Sequence, residues 1–191
     1  EGVVWYTAQF YALAYMQTVL SIPYITVYSV MIAALVLGAP FFVFWGWLSD
    51  RIGRRVIMST GFLLAVLTFW PVFSWFGTFK DNPLILTVLV WYLMILVTMV
   101  YGPIAAFLIE LFPARIRYSS MSLPYHIGNG VFGGGVPFIA TLLAGIFTGV
   151  PLIGLVYPMT VAGIGVLVST LGLKRETHDV QIWDEVEGKS A

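Results

Sequence analysis

The segment 46–55 reads GWLSDRIGRR and packs Asp50, Arg51, Arg54 and Arg55 into six residues, bracketed by Gly46 and Gly53, in a chain of which only 9% is charged. Guanidinium groups at this density can grip carboxylates or cap carbonyls at the last turn of a neighbouring helix. An aspartate at a helix end can cap that helix or face the positive N-terminus of another. The chemistry on offer is an ionic lock that forms and releases. Scattered Lys and Arg would serve as a topology signal without the aspartate or the two spaced glycines. Glu110, with Arg115 and Arg117 close behind it, is a carboxylate at the inner edge of an apolar run. It reads as a second part of the lock, placed to pair with those arginines or with the arginines of 46–55, in preference to carrying protons.

Uncharged polar groups supply a different chemistry. Counting inward from Ser119 at 1.5 Å per residue puts His126 about 10 Å deep and Asn129 about 15 Å deep, near the middle of a membrane. Tyr125 and Asn129 are four residues apart, and His126 and Asn129 three, so they share one helical stripe. Gln9, with Trp5 on its face, reaches a similar depth from another run. Such groups must hydrogen-bond or meet water at mid-membrane, the depth at which transporter sites lie. Interhelical bonding explains Gln9 and Asn129 as readily as ligand contact does. His126 reads either as a neutral packing residue or as a proton-coupling candidate, since histidine as a class titrates near about pH 6.5. Tyr92 fits a lipid belt, the core or the cavity. The substrate-binding candidates are therefore Gln9, Asn129, Trp5, Tyr92 and Tyr125.

No nucleophile sits beside a base, no metal triad occurs, and no glycine-rich phosphate loop is present, so no catalytic residue, metal or cofactor is expected and the chain does not read as an enzyme. The absence of cysteine removes disulfides and thiolate metal sites. A formal net charge of zero leaves no basic surface for nucleic acid.

The elements that must position these residues are membrane helices. With 60% hydrophobic residues, the chain divides into six apolar runs at about 2–20, 25–48, 56–76, 84–109, 119–147 and 152–173. Each has at least the roughly 18 residues that a helix needs to span a bilayer, and none alternates with the period of a membrane strand. The fold class is all-α, a polytopic six-helix bundle over 1–173 with a tail at 174–191. All Lys and Arg except Lys80 fall in 49–55, 110–118 and the tail, which places those segments, the C-terminus included, on the cytoplasmic side. Pro40, Pro71, Pro103, Pro124, Pro137 and Pro158 lie inside the last five runs and suit helices that bend. The glycines of GNGVFGGG (128–135) read either as close helix packing or as the thin wall of a cavity.

Gly-x-Leu-Ser-Asp-Arg-x-Gly-Arg-Arg resembles the cytoplasmic signature of the major facilitator superfamily, which joins the second and third helices of each six-helix half. Gly46, Leu48, Asp50, Arg51, Gly53, Arg54 and Arg55 occupy matching positions, and here too the motif joins the second and third runs. ELFPARIR (110–117), SLPYHIGNGVFGG (122–134) and VVWYTAQFYAL (3–13) resemble the C-terminal half of the metabolite:proton symporters, which include proline/betaine, shikimate and dicarboxylate carriers. The resemblance implies alternating-access transport of an organic acid, amino acid or betaine, coupled to protons, in a bacterial plasma membrane. It also implies a missing N-terminal six-helix half, and the opening Glu1-Gly2 without a methionine fits an internal fragment. Partners are then the substrate, protons, lipid and that half. A non-transporting scaffold or sensor, and a superfamily member for sugars or drugs, remain the alternatives.

Overall fold

The computed structural model describes residues 1–112, 116–147, 149–150 and 152–172, and among these it contains helices and no strand. The all-α class therefore holds. Six helical stretches run in chain order: α1 over 2–19, α2 over Tyr24–Ile52, α3 over Arg54–Thr78, α4 over Pro83–Leu111, α5 over Arg117–Ile146 and α6 over Ile153–Leu171. The last five are long and apolar enough to cross a membrane. The first is the least apolar, because Gln9, Gln17 and several tyrosines interrupt it. Arg115 and the tail 174–191 lie outside the described residues.

Helices α2 and α3 overrun the apolar runs that announced them. A hydropathy reading stops at the first charge, whereas a helix stops where its backbone dihedrals break, and charged side chains at its end reach water without unwinding it. The expected 49–55 connector thus shrinks to Gly53, which sits at φ 102° and ψ 137° between two helices. That region is open to glycine and strained for any other residue. At the start of α4, Asn82 accepts from the N–H groups of Leu84 and Ile85 at 3.1 and 3.3 Å, with Pro83 at the first helical position. Both features fix that helix end.

The core lies where α4 is enclosed by its neighbours: Leu86, Leu93, Leu96, Val97 and Val100 are fully buried. Helices α2 and α4 meet so closely that a Cβ on Gly102 would stand 3.0 Å from the Phe42 carbonyl and 3.2 Å from the Gly46 nitrogen. Gly102 is what allows that approach, since a Cβ on Gly46 would stand at an ordinary 3.7 Å from the Gly102 carbonyl. Helix α1 docks on α3 through aromatic packing, with Tyr11 stacked 5.4 Å from Phe73 and Tyr15 edge-on at 5.3 Å. Helices α2, α3 and α4 stay α-helical through Pro40, Pro71 and Pro103. The irregular backbone lies elsewhere, in π turns at Thr7–Tyr11, Tyr15–Val19, Ile127–Gly133 and Val168–Gly172. Such turns are rare and recur at functional sites.

Candidate functional site

Two clusters gather the polar side chains. At the inner end, Arg54 opens α3 and turns its guanidinium onto three groups. It donates to Glu110 through Nε, at 3.0 and 3.1 Å to the two carboxylate oxygens, and through Nη2 at 2.8 Å. Its Nη1 donates to Ser49 Oγ at 2.9 Å and lies 2.5 Å from Asp50 Oδ1. Ser49 in turn donates to the Gly46 carbonyl at 2.6 Å. The Arg54 and Glu110 side chains are only 10% and 9% exposed, so each charge depends on the other. Asp50 is 57% exposed and faces Arg54.

The neighbouring arginine ties a further helix. Arg55 Nε donates to the Ser169 carbonyl at 2.5 Å, and Nη2 donates to the Thr170 carbonyl, in the π turn that ends α6. Ser59 adds a bond to Ser169 Oγ at 2.8 Å. Arg51 lies over the Trp47 ring, 4.2 Å from its centroid. Arg117 Nε donates to the Phe112 carbonyl at 3.0 Å, across the turn between α4 and α5. The signature residues thus connect α2, α3, α4 and α6 at one end of the bundle.

The second cluster is at mid-depth. Asn129, twelve residues beyond Arg117, is about 18 Å along α5. Its Oδ1 accepts from the Tyr101 hydroxyl at 2.5 Å, and its Nδ2 donates to Glu1 Oε1 and to the Tyr125 carbonyl, both at 3.1 Å. Trp5 packs against Tyr101 and Phe42, with ring centroids 4.9 and 6.4 Å away. Trp5 and Asn129 are thus brought together through Tyr101. Glu1, Trp5, Tyr101, Tyr125 and Asn129 are all half-buried. Gln9, one turn outward from Trp5, ends in a buried Nε2 without a hydrogen-bond partner, as does Gln17 two turns further. The indole nitrogens of Trp45 and Trp91 are in the same condition.

The backbone explains why these groups converge. Asn129 lies in the π turn Ile127–Gly133 and Gln9 in Thr7–Tyr11. At the crossing of α1 and α5, a Cβ on Gly133 would stand 3.0 Å from the Gly2 backbone, so that glycine lets the two helices meet beside Asn129. His126 is exposed, edge-on to Tyr125 with ring centroids 5.8 Å apart. With Tyr118, Met121, Ser122 and Tyr125 it lines a cleft of about 310 Å³ against Ile104 and Leu108 of α4. Tyr92 faces α3, where its hydroxyl donates to Thr68 Oγ1 at 3.1 Å, apart from the Asn129 cluster. A larger hollow of about 540 Å³ along Pro137 to Ile146 is walled almost wholly by apolar side chains and offers no chemistry.

Sequence reasoning left out Glu1 and did not join Tyr101 to Asn129. Glu1 stands at the edge of the sequence, so a count of depth from its own run treats it as an end. Only the register of α1 against α5 shows that it is level with Asn129.

Known proteins give an independent view. The chain is 34% identical over 116 residues to the citrate-proton symporter of Salmonella typhi, a match covering 59% of this chain and 26% of that protein. It is 36% identical over 119 residues to the citrate-proton symporter of Klebsiella pneumoniae, covering 60% and 26%. To a putative proline/betaine transporter of Staphylococcus aureus strain COL it is 24% identical over 165 residues, covering 86% and 35%. The chain thus spans between about a quarter and a third of the length of the curated relatives it matches. No family model and no solved structure matches it. These relatives are transporters and not enzymes, and the signature at 46–55 sits between the second and third helices. Over the matched 59 to 60% of its length the chain is similar to these transporters, and its 46–55 signature resembles that of the major facilitator superfamily.

Proposed function

We propose that the chain is the C-terminal six-helix half of a proton-coupled secondary transporter for a small metabolite, an organic acid, amino acid or betaine. The observation that carries this reading is the polar cluster of Glu1, Tyr101, Tyr125 and Asn129 at mid-depth, half-buried among apolar helices. A carboxylate and an amide at that depth are too costly to turn toward lipid, so they face protein or a watery cavity. Trp5, Gln9, Asn129 and Tyr125 line the substrate cavity in this reading, Tyr92 forms an outlying wall, and His126 tunes the site from the cleft on its inner side. The Arg54 network is the inner lock whose release opens that side. An N-terminal half of six helices, lipid and protons are the remaining partners.

Uptake into vesicles containing the full-length protein, screened with citrate, amino acids and betaines with and without a pH gradient, tests the assignment. Accumulation of one class that collapses with the gradient is expected, and a protein inert to all of them ends the transport reading. We place it in the bacterial cytoplasmic membrane with 49–55 and the C-terminus inside. Single cysteines at positions 49 and 79 should label from opposite faces, and labelling from one face would overturn that orientation.

A further inference from the structure

Asn129 owes its place to an irregular stretch of backbone. Through Ile127–Gly133 the chain closes bonds five residues apart, as the Gly134 N–H does on the Asn129 carbonyl at 2.8 Å. Such turns are rare, so neighbours rather than propensity must hold this one. Pro137 stands five residues after Phe132 and has no N–H, so the wide ladder cannot continue onto the Phe132 carbonyl. A donor from another helix stands there instead: the Tyr157 hydroxyl on α6 donates to that carbonyl at 3.0 Å. The outer side of the turn is pinned. Val136 and Ala140 are fully buried, and a side chain at Gly154 would collide with the Ala140 carbonyl and the Tyr11 hydroxyl. On the inner side, Arg117–His126 buries none of its side chains. Within the turn, Asn129 lies against Gly2, where a side chain would collide with its amide, and accepts from Tyr101.

We propose that Tyr157 is a positioning residue for the Asn129 cluster: from α6, which supplies none of the side chains of that cluster, its hydroxyl holds open the turn that carries the amide. The proposal rests on the transport reading above, in which Asn129 lines the substrate cavity. Without the hydroxyl, the Phe132 carbonyl regains a donor only if the backbone returns to the regular register, where the N–H four residues on, that of Val136, reaches it. Each residue taken out of the wide turn rotates one side of the helix against the other by roughly 100°. Because the outer side is pinned and the inner side is not, the inner side turns. The Asn129 amide then leaves Gly2 and the Tyr101 hydroxyl, and a substrate meets a cavity that lacks it. The Arg54 network, built on α2, α3 and α4, stays as it is. Affinity falls while the rate of movement between states is kept.

The test uses the full-length transporter in proteoliposomes, with radiolabelled citrate as the probe and glycine betaine where citrate is not moved. Tyr157→Phe, which removes one oxygen and keeps the ring, should raise the half-saturating concentration about fivefold at an unchanged maximal rate, as Asn129→Ala should. Adding Tyr157→Phe to Asn129→Ala should raise it no further, because the amide that the hydroxyl positions is already gone. A Tyr157→Phe variant with parental half-saturation overturns the proposal and leaves the transport reading intact. So does a double variant in which the two losses multiply, since the hydroxyl then acts apart from Asn129. A fall in maximal rate alone makes Tyr157 a packing residue and overturns the proposal as well. If Asn129→Ala saturates like the parent, the cavity assignment and this proposal fall together. A parent that moves neither probe removes the transport reading, and this proposal with it.

Discussion

The inner end and the middle of this bundle use polar side chains in opposite ways. Around Arg54 the guanidinium donates to Ser49 and Glu110 and pairs with Asp50, Ser49 donates in turn to the Gly46 carbonyl, and the closest pair is almost sealed from solvent. Around Asn129 the groups are half-open and the acid is held by one oxygen, and elsewhere in the bundle buried donors on Gln9, Gln17, Trp45 and Trp91 have no partner among the described residues. A saturated network holds one arrangement, since every bond must break before a helix end can part. An unsaturated one changes its bonds at little cost, which is what a site needs when its occupant comes and goes. The contrast separates residues that set the rate of movement from residues that set affinity.

The largest effect expected from breaking this contrast is at Arg54. Arg54→Ala strands the Glu110 carboxylate and should destabilise the bundle by about 3 to 5 kcal/mol, the usual cost of opening a buried pair. Thermal unfolding in detergent reads this directly, and a midpoint equal to the parent's would show that the inner network holds nothing. Arg54→Lys should recover only part, because an ammonium cannot repeat the fork onto Glu110. Gly53→Ala comes next, at about 1 to 3 kcal/mol for a side chain at φ 102°, measured the same way.

Smaller effects belong to transport itself. Asp50→Asn weakens an exposed pair and should lower the maximal rate of uptake by up to about tenfold with the half-saturating concentration unchanged. A rise in that concentration at constant rate would move Asp50 into the other class of residue. Asn129→Ala should do the reverse and raise half-saturation about fivefold, the worth of a hydrogen bond near 1 kcal/mol. Smallest is His126→Gln, which should flatten the pH dependence of uptake between about pH 5 and 8, where histidine as a class changes charge.

The sequence made the two regions legible to different degrees. Run lengths set out the spans, since bilayer thickness fixes helix length whatever the neighbours are. Crowded charges in an oily chain pointed to 46–55 and to Glu110. Their pairing was left open, because the partners are 56 residues apart and Glu110 had five arginines within plausible reach. Depth along α5 placed Asn129 near the middle. Depth is one coordinate, however, and it could not say that Tyr101 bonds Asn129 while Tyr92 turns to Thr68. Those choices depend on how α4 is rotated against α3 and α5. Nor could an alternation of apolar and polar residues reveal the π turns, which come from packing rather than from propensity.

The π turn at Ile127–Gly133 puts a shift of phase into α5. A wide turn takes up residues beyond the 3.6 of a regular one, and each extra residue rotates the outer portion of the helix by roughly 100°. The inner portion, Arg117–His126, buries none of its side chains, whereas Gly135–Ile146 buries Val136 and Ala140. One continuous helix thereby presents two unrelated faces, an uncovered one below Asn129 and a packed one above it. Deleting a single residue from the turn would bring the two halves into common phase, and the uncovered face would no longer end at Asn129.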